Sequence, residues 1–441
     1  MSVILSEAIN SQAEFIEKLC YDDLPKEVIE NAKLILLDSI ACIAAGVKQY
    51  KVDALPDGKY QLLGEQSTDK YTATFIHGAA MVKNELDEGN QFAYGHPACH
   101  IIPALLSEVQ DGIFTGKDII TALVAAYETS CRFGCSLKTK PAMHVHGTSQ
   151  TMGACAVTGK LRGKKSAEIA RAIVTASSLP QATSWNSAFD GEQLRNAYIG
   201  MSNLVGMNSY LMNEIGIDCS EKTMLHVWEK VLDGNINPDG LVEKLGDFFY
   251  IEKNYFKVYT ACRYTHVFAD MARELIKMGL DYKEIERIDI DTYLAASKLS
   301  GQTACNSFAM KFSIPVALAT CFVFGDLSMD TVTDTNVADE RVRELARKIF
   351  VKESSEYTAL LPETRGNKMV VTLNNGKVVE RYADVTKGDY KDPFSKADII
   401  DKFVGLTKNI WDENRREFII NAILNLEECE DFSGIFEWMK K

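Results

Sequence analysis

The amino-acid sequence predicts a mainly α protein: a large helical unit from residues 1–256 and 391–441, and a smaller α+β unit over 257–390. Three observations carry this prediction. Apolar residues recur with helical spacing over most of the first 250 residues, strand-like alternation appears in two later stretches, and helical spacing returns after Pro393. A chain of 441 residues also exceeds the size at which a single core usually stops growing.

In chain order, Glu27–Gly46 shows apolar residues at i, i+3 and i+4, and Thr115–Phe133, Ser166–Ser178 and Asn196–Ile215 read the same way. Ala154–Leu161, rich in small residues, suits a helix packed closely against others. Ile285–Tyr293 alternates apolar and polar residues, as a half-buried strand does. Met369–Tyr382 holds two alternating runs around Asn374, Asn375 and Gly376, which predicts a hairpin with Gly376 supplying a positive φ. Val267–Met278 and Ile314–Phe324 read as helices of the smaller unit. Ser395–Val404 and Glu413–Asn425 bring the chain back to the large one.

A hydrophobic content of 46% and a charged content of 25% describe an ordinary globular chain. The formal charge of −13 argues against a nucleic-acid partner, because phosphate binding needs clustered Lys and Arg. It leaves open a carboxylate ligand where a few cations converge. Eleven Cys at irregular spacings make no disulfide framework, so buried reduced thiols of a cytoplasmic protein are the expectation. The first ten residues lack a basic segment, so no signal peptide is expected. The longest apolar run, near residues 34–46, is interrupted by Asp38 and too short to span a bilayer.

Histidine carries the functional signal. Five of the seven lie between His77 and His146. His96 and His100 follow Glu85, Asp87 and Glu88, while His144 and His146 precede Gly147, Thr148, Ser149 and Thr151. An imidazole beside carboxylates is what acid–base chemistry requires. Pro97 biases His96 away from helix and lets one start just after it, placing His96 near a helix N-terminus. The Gly- and hydroxyl-rich turn after His144 offers amide and hydroxyl donors for a carboxylate. Metal chemistry is the alternative, a hydrolase using His96, His100 and His144, although neither CxxC nor HExxH accompanies them. Arg195, Lys257 and Arg263 are cations that would each read as surface ion-pair partners if taken alone.

Taken in order, these segments resemble the MmgE/PrpD family, which includes 2-methylcitrate dehydratase, cis-aconitate decarboxylase and iminodisuccinate epimerase. Leu37–Ala41 resembles its early LDT helix, and Asn84–Pro97 its HALDFDDTH…HPG segment. His144–Ala154 resembles HxTGTxGTFGAA, Lys257–His266 resembles KPYPSCRHTH, Lys311–Pro315 resembles KFSLP, and Thr386–Pro393 resembles the GDPxNP segment. The resemblance implies a large all-helical domain, a small α+β lid, a homodimer, and an interdomain active site needing no metal or organic cofactor. It implies a small carboxylate as substrate. His96 and His144 become the acid–base pair, with His144 as base and His96 as acid. Lys257 and Asp87 join them as catalytic candidates, and Arg195, Thr148, Arg263 and His266 as substrate-binding ones. His100 and His146 take supporting roles.

The chain departs from the family pattern at several positions. Gly89 and Asn90 stand where the family has Asp, Arg195 where it has Lys, Gln150 where it has Gly, and Val316 where the decarboxylase type has Tyr. The expected chemistry is proton abstraction next to a carboxylate, with dehydration preferred over decarboxylation and epimerisation.

Overall fold

The computed structural model describes residues 4–441, and the fold is mainly α-helical. The large unit begins with α1 (Leu5–Lys18) and α2 (Lys26–Val47). It continues through α3 (Lys70–Met81), α4 (Ile102–Glu108) and α5 (Gly116–Ser136). Four more follow: α6 (Met152–Leu161), α7 (Ser166–Ser177), the short α8 (Asn186–Phe189) and α9 (Leu194–Glu214). Helix α2 is buried from Ala32 to Val47, as befits a helix apolar all round. The one acid in that stretch, Asp38, is not exposed. It pairs with Lys402 at 2.6 Å, which ties the C-terminal helix Lys396–Thr407 onto α2. Helix α5 starts where its sequence says it should, with Thr115 and Asp118 forming a reciprocal capping box.

Helices α3 and α9 pack together at two glycines. A Cβ on Gly78 would stand 2.8 Å from the Gly200 backbone, and one on Gly200 would stand 2.6 Å from the Phe75 carbonyl oxygen. This close crossing sets Arg195, at the start of α9, beside the loop that follows α3.

The large unit is not purely helical. Three two-residue strand pairs stitch its loops, and one of them joins Gly89–Asn90 to Asn254–Tyr255. The smaller unit has a four-stranded sheet in the order Val378–Ala383, Asn367–Leu373, Ile285–Thr292, Ile349–Glu353. Only the last pairing is parallel. The hairpin turns at Gly376 with φ of 80°. Helices Arg263–Lys277 and Ile314–Phe324 pack against one another and the sheet. Buried apolar side chains form two clusters, one drawn from residues 5–256 and 399–439, the other almost wholly from 259–373.

Candidate active site

The loop from Asn84 to His100 is built around unusual backbone. Glu85 and Tyr94 hold left-handed φ values of 53° and 54°. For residues with a Cβ this costs roughly 1–2 kcal/mol each, so the surrounding structure must impose it. Two departures from the family pattern help impose it. Asn90 Oδ1 accepts the amides of Phe92 and Ala93, while its Nδ2 donates to the Tyr250 carbonyl. Gly89 leaves room for Tyr255, whose hydroxyl would lie 2.4 Å from any Cβ there. A third, Gln150, fastens the far end, accepting the His96 amide at 3.0 Å and donating to the Ala93 carbonyl at 3.1 Å.

This loop fixes the chemistry of His96. Its Nδ1 lies 2.7 Å from the Glu88 carbonyl oxygen and 2.9 Å from Asp87 Oδ2. Both are acceptors, so Nδ1 carries the proton and the lone pair of the neutral ring sits on Nε2. The helix expected straight after Pro97 is replaced by one 3₁₀ turn, Ala98–His100, and α4 begins only at Ile102. The Ala98 amide is taken by Glu88 Oε2 at 3.1 Å, so the protein's own side chain fills that helix-start position. Burial pushes the Glu88 carboxyl up to about 8, and Tyr127 donates to it at 2.6 Å.

Beneath His96 lies a buried charge network. Glu85 pairs through one oxygen with Arg195 and through the other with Lys257 at 3.0 Å, and Asp87 Oδ1 lies 3.2 Å from Lys257. Burial by itself would raise both carboxyls, yet the cations hold Glu85 below and Asp87 well below the usual carboxylate range. Burial would likewise lower Lys257, and Asp87 and Glu85 instead hold its ammonium well above the ordinary value. Lys257 is fully buried and committed to these two acids, and Arg195 is largely committed to Glu85. The sequence drew attention to the acids but assigned Glu85 no role; the tertiary contacts make it the hub.

Above the network is a cavity of ≈ 40 Å³ between the two units, lined by His96, His144, Arg195, Arg263, Tyr255, Trp185 and Arg365 among others. His144 Nδ1 accepts the His146 amide at 3.1 Å, so its proton belongs on Nε2, which is buried without a partner. Burial, then Arg195 and His96, push this imidazole well below its ordinary value, so it is neutral. The Trp185 ring lies 4.2 Å from the His144 ring. Arg263 spends one Nη2 on Asp389 at 3.0 Å, but its Nη1 is buried without a partner, as is Nη1 of Arg365. Both guanidinium groups lie over the Tyr255 ring, at 4.7 and 5.8 Å.

The structure thus brings His96, His144, Arg195 and Arg263 to one cavity, with Asp87 and Lys257 directly behind it. It separates two other candidates. Thr148 donates its hydroxyl to the Val145 carbonyl and faces an adjoining chamber of ≈ 260 Å³. His266 does not line the cavity. Its Nε2 donates to the Ala261 carbonyl at 3.1 Å, just ahead of its own helix, and the ring packs on Tyr259 in the core of the smaller unit. His100, a ligand in the metal alternative, has both ring nitrogens engaged by backbone, at the His96 carbonyl and the Gly147 amide. Among the described residues no three His, Cys, Asp or Glu are grouped as a metal ion would need. Arg365 stands in no motif of the sequence and is found only through the fold. Val316 lies in the core of the smaller unit, while Phe312, one turn earlier, reaches the cavity.

Family models match both halves of the chain. Residues 10–224 match the MmgE/PrpD N-terminal domain, and residues 259–428 match the MmgE/PrpD C-terminal domain. The chain is 23% identical to a cis-aconitate decarboxylase of Aspergillus terreus, over 95% of this chain and 93% of the relative. It is 23% identical to the cis-aconitate decarboxylase of Mus musculus, over 99% and 94% of the two chains. The human protein of that name is 21% identical over 83% of this chain and 79% of its own. With both domain types matched along most of its length, the chain belongs to the MmgE/PrpD family.

Proposed function

We propose that the protein is a cofactor-independent lyase that removes a proton next to a carboxylate of a small di- or tricarboxylate, in the manner of 2-methylcitrate dehydratase. The observation that carries this reading is the opposed protonation of two histidines across one cavity. His96 offers a lone pair on Nε2 and His144 offers a proton on Nε2, with two unpartnered arginine Nη1 atoms beside them. These hydrogen bonds favour the opposite assignment of roles from the one expected from sequence, and our reading takes His96 as the base and His144 as the acid.

In this reading His96 Nε2 takes the proton from the carbon next to the carboxylate. The resulting imidazolium is stabilised through Nδ1 by Asp87, which Lys257 holds ionised. His144 gives its Nε2 proton to the leaving hydroxyl, so water departs and a C=C bond forms; the imidazolate left beside Arg195 takes back a proton from the His96 imidazolium, and both rings end neutral. Arg263 and Arg365 pair with the substrate carboxylates and stabilise the charge that builds on them. Lys257 positions the acids rather than touching substrate, and Arg195 shares its charge between Glu85 and the cavity. A space of ≈ 40 Å³ holds a few water molecules, not a tricarboxylate, so the smaller unit acts as a lid that opens to admit substrate. The family resemblance adds a homodimer, and the unpaired cysteines support placing it in the cytoplasm.

A second reading, decarboxylation, is favoured by the relatives' names and opposed by Val316, which supplies no hydroxyl at the cavity. Incubation with 2-methylcitrate, citrate, cis-aconitate and iminodisuccinate in D2O, followed by NMR, separates the readings. Alkene formation supports dehydration, CO2 loss supports decarboxylation, and deuterium exchange without net reaction supports epimerisation. Absence of all three, or near wild-type turnover by His144→Ala, would sink the lyase assignment, because such a residue contributes roughly 10²–10⁴-fold.

A further inference from the structure

A second and larger cleft, of ≈ 490 Å³, opens between the two units, and neighbouring residues divide between it and the histidine cavity. Asn84 lines the cleft while Glu85 lines the cavity; Lys311 lines the cleft while Phe312 lines the cavity. The larger unit contributes Lys48, Lys83 and Asn84 to the cleft, and the smaller unit contributes Lys311 and Ser307.

The chemistry of this lining is one-sided. The chain carries a formal charge of −13, yet three lysines and no carboxylate face the cleft. Lys48 is neutralised by Glu65. The other two form no ion pair among the described residues: Lys83 Nζ donates to Gln193 Oε1 at 2.6 Å, and Lys311 Nζ to the Lys83 carbonyl at 2.9 Å, with Asp334 and Glu85 acting on them only through space. The nearby Asp334 is engaged by the Ser307 amide. Lys311 is only 6% exposed, and burial pushes its amine down to about 7. Burial outweighs the pull of Glu85, and leaving a lysine this deep without an ion-pair partner is costly unless something negative joins it. Asn84, 4% exposed, is the independent sign of a missing partner. Its Oδ1 accepts from Gln49 at 2.8 Å, but its Nδ2 is buried with no acceptor.

We propose that this cleft is an anion site for a phosphate group, bound by Lys83, Lys311 and Asn84 Nδ2 and bridging the two units. Lysines without an arginine fork favour a phosphate, which takes point charges from any side, over a planar carboxylate, which an arginine grips in two places. The source of the phosphate is either the free ion or a small phosphomonoester, since the cleft is larger than phosphate alone.

Isothermal titration of the whole protein with inorganic phosphate, and separately with glycerol phosphate, tests the site directly and independently of any turnover. Saturable binding is expected, with a rise in Tm because the ligand binds only the folded chain. Tighter binding of the ester identifies an organic phosphate, and equal binding identifies the free ion. Lys83→Met and Lys311→Met should each weaken binding at least tenfold. Lys83 is only partly buried, so its variant decides the matter even if the Lys311 variant does not fold. No saturable binding of either probe, or binding unchanged in Lys83→Met, would overturn the proposal.

Discussion

At His96 one ring nitrogen meets two acceptors, and this contact sets which nitrogen is free to take a proton. Replacing His96 with Gln should lower kcat by about 10²–10⁴-fold while the protein stays folded, measured by steady-state kinetics beside circular dichroism. Wild-type kcat in that variant would remove the base from the mechanism. Arg365 is a separate case, because its buried Nη1 has no partner and awaits one. A hydrogen bond to a charged group contributes about 1.5–3 kcal/mol, so Arg365→Met should reduce kcat/KM by roughly 10–100-fold, chiefly through KM. The histidines were legible in sequence because they are few and clustered. Arg365 was not, since no local pattern marks an arginine that reaches the site through the fold of another unit.

Between elements, the crossing of α3 and α9 sets the site's accuracy. Gly78 and Gly200 let the two backbones touch, and that contact carries Arg195 to Glu85. A methyl group at residue 78 must push the helices apart, as overpacking in a tight core does, at a cost of about 1–3 kcal/mol. Urea unfolding of Gly78→Ala should show that loss, and its kcat/KM should fall as Arg195 is drawn away from the network. A variant with unchanged stability and activity would show that the crossing tolerates separation. The periodic helices α2, α5, α7 and α9 were legible to within three residues at either end, because apolar spacing and caps are local. The loop from Asn84 to His100 was not, because its shape depends on Gln150, Tyr250 and Tyr255, distant in sequence.

For the whole molecule, burial of so many imidazoles has a consequence for pH. His77, His100, His144, His146 and His266 are all buried and pushed down, His77 to about 3 and His100 to about 4, by burial above all. In the unfolded chain each takes a proton near pH 6.5. The unfolded state therefore binds more protons below that pH, and the stability these groups contribute is full above about 6.5 and lost as pH falls. Glu88 and Glu128, pushed up by burial to about 8 and about 7, act in the opposite sense because the fold keeps them protonated, and Asp38, raised by burial, contributes in that same direction. Five histidines against three carboxyls leave a net loss. Calorimetry should show Tm falling as pH is lowered from about 6.5 to about 5, and a flat or rising Tm would contradict the buried-neutral assignment.

The sequence by itself determined the mainly helical class, the later strand-forming stretches, the hairpin at Gly376 and the two histidine segments, because each rests on local spacing or on residue types that few positions share. Tertiary structure alone decided what those residues can do. Whether His96 or His144 holds the lone pair depends on which atoms lie beside each ring nitrogen. Whether Lys257 meets substrate or acid depends on Glu85 and Asp87 being folded against it from some 170 residues away. Those are questions of distance across the fold, and charge and hydrogen bonding act through distance rather than through order along the chain.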